Sequence, residues 1–403
     1  MTARPPGHAG AGRNRNHRAE RPDGLRFDWT PEQDASYRET LSAVRESFGG
    51  PPGEQDGFFT RKDWLRAGEL GLLGLSIPDE FGGGGLGALD SAHRFEAFGR
   101  GATDTGLVFA AGAHLFACAM PLARFGSDAA RRRFLPGLAS GNLVAGNAVT
   151  EEEAGSDLTR LATSAAAVPG GYVLNGAKSF VSNGPAADVL VTYATTDPAA
   201  GHLGRTGFVL DRAAAGVRVG EPFEKLGLSS VPAGTVTFED CFVPDEQVLG
   251  TPGQGGAIFR YSMGWERTCL FAGYLGLLDR LIERCVEHAR TRRQSGTPIG
   301  RFQAVADRIV TMCLRAEGAR LLLYRACWEM DEQRESATSV ALAKLAISES
   351  VVASALDAVQ VFGSRGCLRE YGIEAILRDC VPSTVFSGTS DIQRRVVAGE
   401  LGL

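Results

Sequence analysis

The sequence predicts a mainly helical α+β protein, built as a helical N-terminal domain, a middle β domain and a C-terminal four-helix bundle. Two observations predict this class. Apolar residues recur at three- and four-residue intervals in the first and last parts of the chain, and short β-branched runs fill the part between them. We place a disordered tail at 1–26, the first two domains at 27–145 and 146–252, and the bundle at 253–403. A chain of 403 residues is long enough for such a division.

The N-terminal tail is predicted to be disordered because its first 24 residues contain no Leu, Ile, Val or Phe. The tail has neither the apolar segment of a secretory signal nor the amphipathic helix of a transit peptide. The formal net charge of -5 is mild for this length. It gives no reason to expect a nucleic acid or a membrane as a partner.

Eight cysteines are spread along the chain without a C-x-x-C pair or a zinc-like cluster of His and Cys. Most of them lie in apolar, helix-like stretches, which is typical of buried free thiols in a reducing compartment. We therefore expect no metal site and a cytoplasmic location.

The first helical domain has clear start and stop signals. Thr30 followed by Pro31 and Gln33 is typical of an N-cap, an N1 proline and an N3 capping-box residue. Ser127 is expected to cap a second helix that runs to Gly141. The stretch 105–123 carries no charge, but it contains His114, Pro121 and glycines, which favours a buried helix over a membrane span.

The middle region is predicted to be a small all-β domain because Gly, Asn, Asp and Pro separate its apolar runs at short spacing. After residue 257 the helical pattern returns, with three long amphipathic stretches and short connections. The predicted strands are 172–174, 189–193, 207–210, 217–219 and 235–238, and the predicted bundle helices cover 270–281, 304–330 and 339–362.

Several short motifs follow one another in a fixed order. A turn of Gly155, Ser156 and Asp157 places backbone N–H groups and a hydroxyl at one edge of the β domain, where they can hold a phosphate or a carbonyl-rich ring. The other motifs are Asn147 to Glu153, Asn175 to Asn183, Glu224 to Gly227, Phe238 to Pro244, Arg292 to Ile299 with Gln303, Gln360 to Gly366, Arg378-Asp379, and Ser387 to Gln393.

In this order and spacing, the motifs resemble the acyl-CoA dehydrogenase family over roughly residues 29 to 400. The resemblance implies the same three-domain fold and FAD bound between the β domain and the bundle. It also implies a homodimer or homotetramer.

The resemblance assigns residues to both ends of the FAD. Val149, Thr150 and Ser156 match positions at the flavin ring, and Phe180 stands where the family usually has Trp, with Val181 and Ser182 following. An aromatic side chain there can cover the ring face. Arg292 matches an arginine that reaches the diphosphate of a neighbouring subunit's FAD. The positions matching the adenosine and diphosphate end are Gln360, Gly363, Thr389 and Asp391, the last in place of the commoner Gln.

The chemistry implied is α,β-dehydrogenation of an acyl thioester, which needs a carboxylate base for the α-proton while the β-hydride passes to the flavin. Most of the family carries that Glu where Ser387 stands here, and a serine hydroxyl is too weak a base. One branch, which includes isovaleryl-type and prolyl-carrier-protein dehydrogenases, places the Glu on a bundle helix beside an Arg. Glu266 and Arg267 occupy that place. Glu266 is therefore the predicted base, with Arg267, Ser156 and the Ser387 backbone as substrate contacts.

The expected substrate is an acyl-CoA or an acyl-carrier protein, with electron-transfer flavoprotein or oxygen as the acceptor. Two alternatives are a flavin-dependent oxidase or oxygenase on the same scaffold, and a degenerate, non-catalytic flavoprotein. The retained Glu266 argues against an oxygenase, and the matched FAD positions argue against the degenerate protein. The run Glu151-Glu152-Glu153 replaces the usual Glu-Pro, and its role is left open. A solvated acidic turn is one interpretation of it.

Overall fold

The structure is a computed structural model that describes residues 29–50, 57–334 and 337–403. The tail predicted at 1–26 lies outside the described residues. Within them, the chain is helical, then β, then helical again, and the predicted fold class is confirmed.

The N-terminal part is helical and ends in a helix whose caps match the prediction. The capping box at Thr30 is confirmed, because its hydroxyl accepts from the Gln33 N–H at 3.2 Å and the Gln33 amide accepts from the Thr30 N–H. Ser127 caps the last helix of this part, which ends at Gly141. The helices are α1 (Pro31–Phe48), α2 (Arg61–Glu69), α3 (Ala88–Gly101), α4 (Thr105–Gly112), α5 (Met120–Phe125) and α6 (Asp128–Ser140), with a π-helical turn (Ala113–Ala119) joining α4 to α5.

One twisted sheet forms the middle of the protein. Its strands run in the order β6-β7-β3-β2-β4-β5-β8, and β1 pairs in parallel with β4. The strands are β1 (Ala145–Ala148), β2 (Ser164–Val168), β3 (Gly171–Ser182), β4 (Val189–Thr195), β5 (Arg205–Asp211), β6 (Val217–Val219), β7 (Ala233–Pro244) and β8 (Val248–Leu249).

The sheet belongs to two apolar cores. Along β4, Val191 and Tyr193 pack into the core shared with the helices, whereas Leu190 and Ala194 face a second core formed by the sheet itself. This alternation follows from the two-residue period of a strand. The central strand therefore attaches the β domain to the helices on both sides of it in the chain.

The C-terminal part is the helical bundle. Helices α8, α9 and α10 pack against one another, and α11 and α12 pack on α10. The elements are α7 (Gly255–Trp265), a π-helical turn (Glu266–Leu270), α8 (Phe271–Thr291), the short strands β9 (Arg293–Gln294) and β10 (Thr297–Pro298), α9 (Gln303–Asp331), α10 (Ala337–Phe362), α11 (Ile373–Cys380) and α12 (Ser390–Glu400).

Two helical stretches are long and apolar enough to cross a membrane by length and composition, Thr105–Phe125 and Ala337–Cys367. The apolar window of the first is 94% buried, as expected of a core helix, and that of the second is 50% buried because α10 packs within the bundle. All eight cysteines are free, and six of them are buried. In the described part of the chain, no group of three or more His, Cys, Asp or Glu side chains is arranged to hold a metal ion.

Candidate active site

A cavity of about 730 Å³ lies between the sheet and the helices. Nine of the predicted site residues line it, coming from the end of β1, from β3, from the turn after α7 and from the loop before α12: Val149, Thr150, Ser156, Phe180, Ser182, Glu266, Arg267, Ser387 and Thr389. A smaller cavity of about 330 Å³ is lined by Arg280 among others and by none of the predicted residues. The larger cavity is therefore the candidate active site.

Phe180 reaches the cavity because β3 contains a β-bulge. Lys178 pairs with Val236 and Val181 with Gly234, so β3 has one residue more than β7 between these pairs. Phe180 adopts a left-handed conformation with φ 58° in the bulge. Its side chain is consequently turned out of the sheet and is 59% exposed, whereas that of Val181 is buried.

The loop after β1 is held in place by a buried ion pair. The Lys178 ammonium donates to Glu151 Oε1 at 2.7 Å and to the carbonyl of Val149 at 3.2 Å. The Glu151 carboxylate also accepts from Thr163 and from the Ala162 N–H. Burial alone would raise the pKa of Glu151, but these hydrogen bonds outweigh it and lower the pKa. The pair therefore fixes the backbone that carries Val149 and Thr150.

The three consecutive glutamates, whose role the sequence leaves open, differ in their environments. The interpretation as a solvated acidic turn does not apply to Glu151, which is buried and whose carboxylate is paired with the Lys178 ammonium. Glu152 accepts from the Ser179 hydroxyl at 3.3 Å, and Glu153 forms an exposed ion pair with Arg160 at 3.4 Å.

Glu266 lies at the floor of the cavity. It is the first residue of the π-helical turn between α7 and α8, a conformation that is rare in proteins and frequent at functional sites. Its side chain is only 6% exposed. One oxygen, Oε1, accepts a short hydrogen bond from the Ser387 hydroxyl, and the other, Oε2, has no hydrogen-bond partner among the described residues.

The electrostatic environment of Glu266 has opposing parts. Burial raises the pKa of its carboxyl, and the Ser387 hydroxyl together with the charges of Arg267 and Lys344 acts in the other direction. The net shift is upward. A carboxylate with a raised pKa and an unpartnered oxygen in a cavity has the properties of a general base.

The loop before α12 positions Ser387 against Glu266. Ser387 and Gly388 both have positive φ angles, 55° and 87°. A Cβ on Gly388 would be strained at this φ, and it would approach Gln393 Nε2 to 2.9 Å and Arg267 Nη2 to 3.0 Å. The Ser387 carbonyl accepts from Arg267 Nε at 2.7 Å, and Gln393 donates to the carbonyl of Gly388 at 3.0 Å. Arg267 therefore holds the loop as well as lining the cavity.

Five predicted residues do not line this cavity. Val181 is buried behind the bulge, and Asp391 is exposed on α12 beside Arg394 at 3.1 Å. The other three, Arg292, Gln360 and Gly363, lie at one end of the bundle, where α8 and α10 finish. Stacking of His288 on Phe362, with ring centroids 4.1 Å apart, brings these two helix ends together. The single protomer therefore separates the residues predicted for the flavin ring from most of those predicted for the adenosine end.

Sequence reasoning missed several residues of the site. Phe223 lines the cavity and packs on Phe180, with ring centroids 5.5 Å apart. Lys178 supports the loop after β1 although it does not reach the cavity. A lysine within an alternating strand pattern was the available signal for Lys178, because a charge in a buried strand needs a partner.

The side of the cavity that the β domain forms, called the β wall below, fits a planar aromatic ring. Phe180 and Phe223 present partly exposed rings to the cavity, and the buried Asn147 Oδ1 beside them has no hydrogen-bond partner in the described structure. Aromatic faces and a free acceptor suit the flat, amide-rich ring of a flavin. Thr150 and Ser156 add hydroxyl groups on the same wall.

Comparison with known proteins gives consistent matches along the chain. Family models for the acyl-CoA dehydrogenase N-terminal, middle and C-terminal domains match residues 41–142, 146–241 and 253–402. An L-prolyl-[peptidyl-carrier protein] dehydrogenase of Pseudomonas fluorescens is 55% identical over 351 residues, covering 87% of this chain and 92% of that protein.

Two solved structures are similar over nearly the whole length. The structure described as PigA with FAD and proline has a TM-score of 0.90 and 41% identity, and the match covers 94% of this chain and 100% of that one. The prolyl acyl carrier protein oxidase AnaB has a TM-score of 0.89 and 36% identity, with 93% of this chain and 100% of that one covered.

Proposed function

Because the chain belongs to the acyl-CoA dehydrogenase family, we propose that it is an FAD-dependent enzyme that dehydrogenates an acyl thioester carried on a carrier protein, with an L-prolyl group as the acyl part. The observation that carries the proposal is the Glu266 carboxylate, which is buried at the floor of the cavity and has one oxygen without a hydrogen-bond partner among the described residues. The names of two similar proteins support the prolyl group and the carrier.

Different residues of the chain have different roles in the proposed reaction. Glu266 accepts the α-proton of the thioester through Oε2, while the Ser387 hydroxyl holds Oε1. The Ser387 backbone N–H is the protein group that polarises the thioester oxygen and makes the α-proton more acidic. FAD, when bound, supplies the acceptor for the hydride that leaves Cβ. Apolar side chains around the floor, such as Phe109, Met263 and Phe386, exclude water from the acyl group.

Val149, Thr150, Ser156, Phe180 and Ser182 would hold the flavin ring on the β wall. Thr389 faces the same cavity from the bundle side, where it also caps α12 by accepting from the Ile392 N–H at 3.2 Å.

The proposal predicts that an L-prolyl thioester on a carrier protein reduces the flavin. We expect the purified protein to be yellow and its released flavin to have the mass of FAD. In the absence of oxygen, the yellow absorbance should bleach with the prolyl carrier protein, and much more slowly with free L-proline, which lacks the activating thioester. Bleaching by an acyl-CoA alone would contradict the carrier-protein assignment, and a yellow protein that no thioester bleaches would contradict dehydrogenation.

The electron acceptor is either a second flavoprotein or oxygen. Oxygen is a candidate because AnaB, which is 36% identical, is described as an oxidase. Oxygen consumption during turnover without any added acceptor separates the two. We further propose a cytoplasmic location, which the free thiols of all eight cysteines support.

We also predict that the protein is a closed homo-oligomer in which Arg292 reaches the FAD of a second subunit. The positions of Arg292, Gln360 and Gly363 at one bundle end, away from the cavity of their own protomer, support this. Arg292→Ala should lower the FAD content after gel filtration, because the guanidinium is a bidentate partner for a diphosphate. The exposed neighbour Arg290 provides the control, Arg290→Ala, which should retain FAD. A monomer that is fully loaded with FAD would rule the prediction out.

A further inference from the structure

A buried lysine faces the turn that carries Glu266. Lys344 lies on α10, which packs against the π-helical turn, and its side chain is 0% exposed. Its ammonium nitrogen has no hydrogen-bond partner among the described residues and lies 5.5 Å from the centre of the Phe271 ring. An ammonium group buried without a hydrogen bond destabilises a fold, so its presence on the helix that packs against the turn of Glu266 needs a reason.

Few charged groups face Glu266 from the surrounding elements. Cys118 from the π-helical turn of the N-terminal domain and Tyr193 from β4 are both within electrostatic range, and burial raises the pKa of each, so both stay neutral. Arg267 and Lys344 are the cations that act on the carboxylate. The Arg267 guanidinium already donates to the Ser387 carbonyl. Within the part of the chain that the structure describes, neither the Lys344 ammonium nor Glu266 Oε2 has a hydrogen-bond partner.

We propose that Lys344 is a positioning residue that keeps the buried Glu266 ionised, so that its free oxygen can accept the proton of the substrate. The role of Glu266 as a base rests on the proposed function, but the electrostatic pairing of the two side chains does not. Lys344 touches neither the cavity nor the reacting atoms, since it is not among the residues that line the site.

The direction of the effect follows from the charges. Burial raises the pKa of Glu266, and the nearby ammonium counteracts part of that rise. Removing the ammonium must raise the pKa further, so the carboxyl stays protonated to a higher pH. Burial, then the charge of Arg267, lowers the pKa of Lys344 to about 8, so it is still mostly protonated at neutral pH.

The first test is the pH dependence of flavin reduction in the FAD-loaded enzyme, measured in a single turnover. Lys344→Met replaces the lysine with an apolar side chain of similar length and so removes the charge. We expect the acidic limb of the profile to move up by about one pH unit, which makes reduction about tenfold slower below the limb, and the rates to converge at high pH. Lys62→Met, which removes the charge of an exposed lysine on α2, should leave the profile unchanged. A rate lowered by the same factor at every pH would overturn the proposal.

The second test does not depend on turnover. Unfolding temperatures of the holoenzyme are compared among the parent protein, Lys344→Met, Glu266→Gln and the double variant at neutral pH. We expect Lys344→Met to change the unfolding temperature more favourably in the Glu266→Gln background than in the parent protein. In the parent protein, the substitution also removes the attraction between the two charges. Strict additivity would overturn the pairing. If no thioester reduces the parent enzyme, the proposed function fails, and this comparison still decides the inference about Lys344.

Discussion

Glu266→Gln is expected to slow flavin reduction by at least about a hundredfold, the low end of what a positioned base contributes. The change keeps size and shape but removes the basic oxygen, and the amide can still accept from the Ser387 hydroxyl that now contacts the carboxylate. FAD content should be unchanged, because Glu266 lies on the bundle side of the cavity, away from the β wall. Stopped-flow reduction with the prolyl carrier protein, without oxygen, measures the effect.

Two further variants sharpen the interpretation. Glu332→Gln makes the same replacement at an exposed glutamate after α9 and should have no effect. Ser387→Ala should slow reduction by about tenfold or less, mostly at low pH, because loss of the hydroxyl raises the pKa of Glu266 while the backbone N–H remains. An unchanged rate in Glu266→Gln would make this residue structural and would favour an oxygenase.

Lys178→Met is expected to lower the free energy of unfolding by about 3 to 5 kcal/mol, because it leaves Glu151 as a buried charge without its cation. The same variant should lose FAD readily, since the ammonium also holds the Val149 carbonyl at the edge of the cavity. Denaturant unfolding and the flavin-to-protein ratio measure the two effects.

Adding Glu151→Gln to Lys178→Met should recover part of the lost stability, because the unpaired charge is then removed. The lowered pKa of Glu151 gives a second check. The pair contributes to stability above the normal pH range of a glutamate carboxyl and below about pH 8, because burial lowers the pKa of Lys178 to about 8. On the acid side, the contribution is lost as the pH falls through the lowered pKa of Glu151. A Lys178→Met protein as stable as its parent would show that the ion pair contributes no net stability.

The order of the domains and the long elements could be predicted because their signals are local. Cap residues such as Thr30 and Ser127, and the apolar spacing of α9 and α10, depend only on nearby sequence. Strands β1 and β2 were not predicted, since Ala145–Ala148 and Ser164–Val168 are rich in Ala and contain only one β-branched residue, Val168. Their pairing with β3 and β4 determines their conformation.

Site residues that belong to a recognisable motif could be predicted from the sequence. Contacts between residues of different elements could not. Glu266 was assigned because the resemblance to one branch of the family implies a Glu beside an Arg at this place, and nine predicted residues line one cavity. The hydrogen bond from Ser387 to Glu266 joins residues 121 positions apart, and no local pattern encodes it. The burial of Glu151, in the loop after β1, likewise depends on Lys178, which lies on β3.

The π-helical turn at Glu266–Leu270 contains one residue more than a regular helix would need. Deleting a single residue there would let α7 and α8 merge into one uniform helix, and α7 would rotate by about 100° about the shared axis. Phe259 and Met263, which line the cavity from α7, would then point elsewhere even though no cavity residue had been substituted. The number of residues in this turn therefore determines the orientation of α7 as strictly as their identity does. A sequence alignment that places a gap in the turn would assign the wrong orientation to the side chains of α7.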